Sequence, residues 1–339
     1  MQTNKPEISV VMSVYNGEEF LAEAIESIIQ QSFTDFEFII VNDGSKDGTE
    51  KIIESFKDPR IVNIDLPTNV GLIASLNRGL QYAHGKYIAR MDADDVAVMD
   101  RLKLQVEAFD KNANAIIVGT DYYSFTKRNK TLVSNINDSE YLKALLLFGP
   151  SYCHPTVMIK NIFKAKGINY NRDYLHVEDY RLWTELAQLG DFVNINKPLL
   201  FYRSHSNQIS NIKRMEQLRK CASIRSEYLH TLKINFTEKQ FVTHNFLSDN
   251  YFIRNKVELN DIEEWLCYLV EKNNENKSIA TVSFNRCIQK MWKDSCGNTK
   301  FGLFAFRSYY KSSLSKIYPT NLSDQFILLG KCIIRSFKK

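Results

Sequence analysis

The feature that most constrains the fold is a regular alternation of strand and helix patterns in the first third of the chain. Short β-branched apolar runs predict strands, and most are followed by apolar residues at helical spacing. The runs are ISVVMSV (8–14), FEFIIV (36–41), IVNIDL (61–66) and KYIARMD (86–92). Strands that alternate with helices form a mostly parallel sheet with helices on both faces. The sequence therefore predicts an α/β, Rossmann-like fold.

Further signals place the helices and the later elements. Asn16 followed three residues later by Glu19 is a capping-box pattern, which predicts that the first helix begins there. Other expected elements are a helix at 101–109, strands at 115–125 and 153–160, and a helix at 177–190. From residue 211 onward the pattern is largely helical. We therefore expect one domain at 1–210 and a second, mainly helical region at 211–339.

Polar side chains follow three of the predicted strands at the point where each strand ends. They are Ser13-Val14-Tyr15-Asn16, Asn42-Asp43-Gly44-Ser45 and Asp92-Ala93-Asp94-Asp95. In open parallel sheets, ligands bind in the crevice beyond the carboxyl ends of the strands. Because those ends meet at one edge, the three polar segments are expected to surround one ligand.

The acidic cluster at Asp92, Asp94 and Asp95 indicates a cation site. Neighbouring carboxylates repel one another unless a cation compensates them. Asp92 and Asp94 lie two residues apart, which puts both side chains on one face of an extended segment. Oxygen ligands of this kind suit Mg²⁺ or Mn²⁺ shared with substrate phosphates. The alternative is that Asp94 or Asp95 caps the next helix and the other carboxylates are solvated.

Length and composition fit a globular protein of about two domains. Of the 339 residues, 44% are hydrophobic, which is enough for a substantial core. The six cysteines are scattered and form no C-x-x-C pair, so neither a zinc site nor a disulfide framework is expected. The N-terminal residues lack the pattern of a secretory signal, and no apolar run reaches about 18 residues. We expect a cytoplasmic protein that does not span a membrane.

The positive charge is unevenly distributed. Residues 1–210 carry a net charge of −5, whereas residues 211–339 carry +10. A basic helical region can contact an anionic membrane surface, or it can simply be solvated. Nucleic acid is a weaker alternative because the basic residues are dispersed rather than concentrated in one run.

Four segments together resemble family 2 glycosyltransferases of the GT-A fold, which are inverting enzymes. They are ISVVMSVYNGEEFLAEAIESIIQQSF, FEFIIVNDGSKDGT, NVGLIASLNRGLQYAHGKYIARMDADD and VEDYRLW. The resemblance covers about residues 6–205 and does not include the basic C-terminal third. It implies nucleotide-sugar binding by about residues 6–125 and an acceptor side at about 126–210.

The resemblance also implies roles for individual residues. Ser13 and Tyr15 would hold the nucleotide base, with Tyr15 as a stacking partner, and Asp43 would accept a hydrogen bond from the base. The resemblance further implies that Asn77 and Arg78 lie near the nucleotide, that Asp92 contacts the ribose and the metal, and that Asp94 binds the metal. Arg203 and His205 would contact the diphosphate or the metal, and Asp179 would be the general base. For the Glu178-Asp179 pair, the simpler alternative is an acidic first helical turn that complements the helix dipole.

These roles are consistent with sugar transfer from a nucleotide diphosphate. A divalent metal, Mn²⁺ or Mg²⁺, would neutralise the leaving group, and one carboxylate would deprotonate the acceptor hydroxyl. A single displacement inverts the anomeric centre. We therefore expect a metal-dependent hexosyl- or N-acetylhexosaminyltransferase of surface polysaccharide, capsule or lipopolysaccharide biosynthesis. By resemblance, its donor would be a UDP-sugar and its acceptor a glycan or a lipid-linked saccharide.

Other functions remain open at this stage. A polyprenyl-phosphate sugar synthase would differ only in its acceptor, and a non-catalytic nucleotide-sugar-binding protein would not need Asp179. A nucleotidyltransferase would usually have a glycine-rich phosphate loop near the N-terminus, and SVYNGEEF is not such a loop.

Overall fold

The computed structural model describes residues 5–126, 129–204, 214–249, 253 and 256–336. Two compact units are present. The first comprises Met1–Ser139 and Ser151–Gln217, and the second comprises Glu140–Pro150 and Leu218–Lys339. The short segment Glu140–Pro150 in the second unit was not anticipated from the sequence. The expected functional division between residues 1–210 and 211–339 stays a prediction.

The first unit contains a mixed sheet with a parallel half. Its strand order is β3-β2-β1-β4-β8-β6-β9-β5, with β7 paired to β6. The strands are β1 Ile8–Val14, β2 Phe36–Asn42, β3 Ile61–Asp65, β4 Tyr87–Asp92, β5 Val96–Ala97, β6 Ala115–Phe125, β7 Lys130–Val133, β8 Met158–Lys160 and β9 Asp191–Arg203. Strands β1 to β4 are parallel to one another, whereas β8 is antiparallel to both of its neighbours. The predicted α/β sheet is confirmed.

Helices connect and cover the strands, and further helices form most of the second unit. They are α1 Leu21–Ile29, α2 Thr49–Ser55, α3 Leu72–Tyr82, α4 Arg101–Lys111, α5 Ser139–Leu145, α6 Phe163–Lys166, α7 Glu178–Leu186, α8 Arg214–Thr231, α9 Glu238–Ser248, α10 Lys256–Asn276, α11 Thr281–Gly297, α12 Leu303–Lys311 and α13 Leu322–Ser336. The inner strands β1, β2 and β4 are buried along almost their whole length. Continuous apolar runs are expected for strands covered on both faces.

The predicted cap of the first helix is wrong. Helix α1 begins at Leu21 after Phe20, and no side chain caps it. Asn16 instead has a positive φ of 51°, which asparagine tolerates better than most residues. Its Oδ1 accepts a hydrogen bond from the backbone N–H of Lys46 at 2.9 Å. The side chain therefore joins the loops after β1 and β2.

The strand predicted at 153–160 is shorter than expected. A 3-10 turn occupies His154–Thr156, and only Met158–Lys160 forms strand β8. Pro155 lies within the turn, where its fixed φ is compatible with helical geometry.

The second unit has a helical core that includes Trp265, Trp292 and Phe284. His244 joins the short segment Glu140–Pro150 to these helices. Its Nε2 donates to the carbonyl of Leu147 at 2.8 Å, and its Nδ1 accepts from the indole N–H of Trp265 at 3.0 Å. Burial lowers the pKa of His244 to about 3, so the ring is neutral. Among the described residues, every helix is too short or too polar to cross a membrane.

Close approach of a loop to β1 makes Gly85 the residue whose replacement should most directly disturb the sheet. A Cβ there would lie 2.4 Å from the backbone nitrogen of Ser9 and 2.6 Å from the carbonyl carbon of Ile8. We expect Gly85→Ala to lower the free energy of unfolding by about 1–3 kcal/mol, measured by urea denaturation. Gly149→Ala is the control, because no atom outside its chain neighbours lies within 4 Å of that position. Equal stability of the two variants would contradict this packing.

Candidate active site

A cleft of about 1360 Å³ opens at the carboxyl ends of β1, β2 and β4. The sheet register brings the polar strand ends together, because Ser13 pairs with Asp92 and Val14 pairs with Asn42. The lining includes Ser13, Tyr15, Asp43, Arg90, Asp92, Asp94, His154, Glu178, Tyr202 and Arg203. The sequence-based expectation that a ligand crevice forms at this edge agrees with this geometry.

The acidic cluster lies at the end of β4 on the wall of this cleft. Potential ligand oxygens of Asp92, Asp94 and Asp95 lie within 4.8 Å of one another. Asp95 is fully buried, and its Oδ1 accepts a hydrogen bond from the backbone N–H of Arg203 at 2.8 Å. Its Oδ2 is buried without a hydrogen-bond partner among the described residues. Helix α4 begins only at Arg101, so neither Asp94 nor Asp95 caps it.

Burial and mutual repulsion raise the pKa values of Asp92 and Asp95. The pKa of Asp95 is raised well above its usual value, first by burial and then by the charges of Asp92 and Asp94. Burial also raises the pKa of Asp92, although the charge of Arg90 opposes this shift. A cation placed among these oxygens would favour their charged forms.

Two arginines beneath the cluster supply positive charge. Arg90 is a buried residue of β4, and its Nη2 lies 2.5 Å from Oδ1 of Asp92. Arg101 is fully buried and donates to the carbonyls of Arg90 and Val157 at 2.7 and 3.3 Å. Burial lowers the pKa of Arg101 to about 10, which still leaves it protonated at neutral pH.

A third arginine, Arg203, lies at the end of β9 beside the same cluster. Its Nε donates to the backbone carbonyl of Asp94 at 2.7 Å, and its Nη2 lies 2.6 Å from a carboxylate oxygen of Glu23. Its guanidinium also stacks near the rings of Phe20 and Phe125. Arg203 therefore connects β9 to the acidic cluster and lines the cleft with it.

The Glu178-Asp179 pair opens helix α7, and Asp179 is half-buried and is not among the residues that line the cleft. Glu178 lines the cleft and is 6% exposed, and its Oε2 has no hydrogen-bond partner among the described residues. The Oδ1 atom of Asp179 accepts from the backbone N–H of Tyr180 at 2.7 Å. Burial, followed by the charge of Glu178 and a smaller effect of Asp92, raises the pKa of Asp179 to about 7. Such a pKa suits proton transfer near neutral pH.

The residues predicted to hold the nucleotide base lie at the ends of β1 and β2, next to the end of β4. Tyr15 is 47% exposed and lines the cleft together with Ser13. Asp43 is buried, and its two carboxylate oxygens accept from the backbone N–H groups of Val70 and Gly71 at 2.8 and 2.9 Å. Each of these oxygens keeps capacity for a further donor.

Other predicted residues lie elsewhere. The side-chain amide of Asn77 is hydrogen-bonded at both ends to the backbone of Tyr170, and Arg78 is exposed against Tyr82. Neither belongs to the cleft lining, and their contact with a nucleotide stays a prediction. His205 lies outside the described residues.

His154 lines the cleft and lies 2.8 Å from the hydroxyl of Tyr170. Burial and the charge of Arg90 lower its pKa well below the usual value, so the ring is neutral.

The sequence analysis missed the structural roles of Arg90 and Arg101. For Arg90, the available signal was its position inside an otherwise apolar strand. A charged residue at such a position is rarely buried without a partner.

Comparisons with known proteins agree with this architecture. The family model for glycosyl transferase family 2 matches residues 9–165. An uncharacterised glycosyltransferase of Haemophilus influenzae is 32% identical over 249 residues, covering 68% of this chain and 77% of that protein. The chain belongs to glycosyl transferase family 2. It is therefore a glycosyltransferase, and the family expected from the sequence is confirmed.

Two further relatives are informative. The chain is 26% identical over 210 residues to WfgD of Escherichia coli, covering 61% of this chain and 80% of WfgD. WfgD is described as a UDP-Glc:alpha-D-GlcNAc-diphosphoundecaprenol beta-1,3-glucosyltransferase. Among solved structures, Staphylococcus aureus TarS residues 1–349 in complex with UDP-GlcNAc matches with a TM-score of 0.55 and 17% identity, covering 96% of this chain and 90% of that one. This likeness confirms the GT-A fold of the glycosyltransferase.

The ion pair between Arg90 and Asp92 should govern both stability and its dependence on pH in this glycosyltransferase. Removing one partner of a buried pair typically costs about 3–5 kcal/mol, so Arg90→Met should lower the free energy of unfolding by that amount at pH 8. Without Arg90, the already raised pKa of folded Asp92 rises further above its unfolded value of about 3.9. The folded state then binds the proton more tightly, so the loss should grow as pH rises and be smaller at pH 5.

Denaturant titration at both pH values would measure this effect. The double variant Arg90→Met/Asp92→Asn should recover part of the stability at pH 8, because it also removes the uncompensated carboxylate. An equal loss at pH 5 and pH 8, without recovery in the double variant, would contradict the ion-pair explanation.

Proposed function

We propose that this glycosyltransferase transfers a hexosyl or N-acetylhexosaminyl group, with inversion, from a nucleotide-diphosphate sugar to a hydroxyl group of its acceptor. The observation that carries the proposal is one cleft lined by Asp92 and Asp94 at the end of β4 and by Glu178, the sequence neighbour of Asp179, in the first turn of α7. The end of β4 supplies oxygen ligands next to a diphosphate, and the first turn of α7 supplies a carboxylate for proton transfer. A uridine nucleotide is favoured, with support from the donors named for WfgD and TarS.

Ser13, Tyr15 and Asp43 would bind the nucleotide base. The exposed ring of Tyr15 offers a flat apolar surface on which a base can stack. Asp43 is already oriented by the backbone N–H groups of Val70 and Gly71, so it can accept a hydrogen bond from a ring N–H with little loss of side-chain freedom. Asp92 would contact the ribose from the neighbouring strand end.

A divalent cation fits the acidic cluster. The cluster offers hard oxygen ligands, and the buried Oδ2 of Asp95 has no other partner among the described residues. Asp94 and Asp92 would hold Mn²⁺ or Mg²⁺, with His205 as a further predicted ligand. When bound, the ion neutralises negative charge on the diphosphate leaving group. Arg203, which lines the cleft beside Asp94, would contact the diphosphate directly.

Asp179 would be the general base. Its raised pKa makes the carboxylate a stronger proton acceptor, while still allowing it to be ionised at neutral pH. The base accepts the proton from the acceptor hydroxyl as the oxygen attacks the anomeric carbon. Glu178 would accept a hydrogen bond from a sugar hydroxyl, which would satisfy its buried Oε2.

The proposed acceptor is a glycan or a lipid-linked saccharide of surface polysaccharide biosynthesis, with support from the diphosphoundecaprenol acceptor named for WfgD. Peripheral contact of the basic C-terminal region with the inner face of the cytoplasmic membrane belongs to this proposal. A polyprenyl-phosphate sugar synthase would use the same donor site. An acceptor panel containing polyprenyl phosphate and saccharide acceptors separates the two.

Donor binding should depend on a metal and on Asp94. We expect one nucleotide sugar from a panel to raise the melting temperature in the presence of Mn²⁺ or Mg²⁺ but not with EDTA. Asp94→Ala should weaken this binding at least about tenfold, because it removes a charge-assisted ligand of the cation. The control is Asp110→Ala, an exposed carboxylate near the end of α4. Metal-independent binding that Asp94→Ala leaves unchanged would overturn the cation assignment.

Asp179 should control turnover but not donor affinity. We expect Asp179→Asn to lower kcat by about 10²–10⁴-fold while the donor dissociation constant stays within about twofold. Since the base must be ionised, kcat/KM of the unmodified enzyme should fall as pH drops below about 7. Asp173→Asn, an exposed carboxylate in the preceding turn, is the control. Full transfer activity in Asp179→Asn would rule out this base and leave Glu178 as the next residue to test.

A further inference from the structure

The last helix presents an apolar face to solvent. Leu328 and Cys332 are buried against the rest of the helical unit. Besides Lys331, the helix exposes five large apolar side chains: Leu322 (72% exposed), Phe326 (71%), Ile327 (56%), Ile333 (43%) and Ile334 (64%). A helix on the surface of a water-soluble domain normally directs polar residues outward. Contiguous exposed apolar surface marks an interaction site.

The exposed apolar residues of α13 form one continuous surface. At 100° per residue they occupy an arc of about 140°, opposite Leu328 and Cys332. The residues between them on this arc are small, namely Gly330 and Ser323. Lys331 and Asp324 lie outside the arc, and Asp324 is paired with Lys293 at 3.0 Å. Among the side chains of α13 that the structure describes, this arc carries no charged group.

Helix α12 adds an amphipathic surface with basic groups. Leu303, Phe304 and Tyr310 are exposed on it, and so are Arg307 and Lys311. The sequence of α12 contains no acidic residue. Exposed aromatic, aliphatic and basic side chains in one short helix are typical of segments that lie in the interface of a bilayer.

The charge of this segment identifies the partner class. Residues 301–339 contain seven Lys and Arg residues and one Asp, a net charge of +6, whereas the whole chain carries +5. Basic residues near an anionic bilayer are attracted to its surface potential. A second copy of the chain would carry the same net positive charge in this segment, which disfavours its association there.

We propose that the exposed apolar face of α13 and the exposed side chains of α12 form a docking surface for an anionic lipid bilayer. The apolar side chains would enter the region between headgroups and acyl chains, while Arg307, Lys311 and Lys331 would contact anionic headgroups. This inference specifies the membrane contact included in the proposed function. It rests on the helical unit alone and does not depend on the chemistry of the cleft.

The test is co-flotation of the full-length chain with vesicles of phosphatidylcholine, or of phosphatidylcholine mixed with phosphatidylglycerol. We expect binding to the mixed vesicles, weaker binding at high salt, and little binding to phosphatidylcholine alone. Phe326→Glu/Ile334→Glu should weaken binding at least about tenfold, because it places two carboxylates within the inserted face. Val242→Glu/Val282→Glu is the matched control, since both valines are exposed on other helices of the same unit and the change in charge is identical.

Equal binding by the two double variants, or no vesicle binding by the unmodified chain, would overturn the proposal. Self-association of the unmodified chain that Phe326→Glu/Ile334→Glu abolishes, measured by light scattering without lipid, would instead assign the face to a second copy. Metal-dependent hydrolysis of the donor should be unchanged in both double variants. This readout separates failure of the membrane proposal from failure of the proposed chemistry in the cleft.

Discussion

Charge compensation at the end of β4 is the constraint on which the architecture around the cleft depends. Three carboxylates, of which Asp95 is buried and Asp92 and Asp94 are half-buried, lie within 4.8 Å of one another, which is unfavourable unless cations accompany them. Arg90 provides the first cation from within the same strand. Arg101 lies beneath it and bonds the carbonyls of Arg90 and Val157, so α4 is tied to β4 and to the residue that precedes β8. The backbone of Arg203 ties β9 to Asp95. Strand β4, helix α4 and strand β9 thus meet at one electrostatic centre.

The sequence was sufficient to predict the strands whose local residue pattern matches their buried position in the sheet. Strands β1, β2 and β4 are mostly apolar because both of their faces are buried, so each appears in the sequence as a run of apolar residues. The ends of parallel strands meet at one edge, so the polar segments after β1, β2 and β4 were expected to lie together, and Ser13 pairs with Asp92 in the sheet. Asp92 and Asp94 line the cleft at this edge.

The sequence did not predict the hydrogen-bond partner of a side chain when that partner lies far away along the chain. Asn16 fits a helix cap by its spacing, yet its oxygen accepts from Lys46, thirty residues away, because the two loops meet beyond the sheet. The amide of Asn77 is likewise occupied by the backbone of Tyr170, which no pattern in α3 reveals. Arg101 sits in an ordinary helical pattern, and its complete burial depends on carbonyls supplied by other elements. Periodicity identifies the element that carries a residue but not the partner of its side chain.

The distribution of charge along the chain suggests that a diphosphate in the cleft and an anionic partner of the last two helices are recognised in different ways. The residues that line the cleft lie within residues 1–210, which carry a net charge of −5. A diphosphate would therefore depend on groups that touch it, such as Arg203 and a bound cation. At physiological ionic strength, interactions between exposed charges are largely screened beyond about 8 Å. The positive charge of the last two helices can thus serve only an anion that reaches those helices. Since their exposed surface is also apolar, that anion should belong to an amphipathic partner rather than to a free nucleotide.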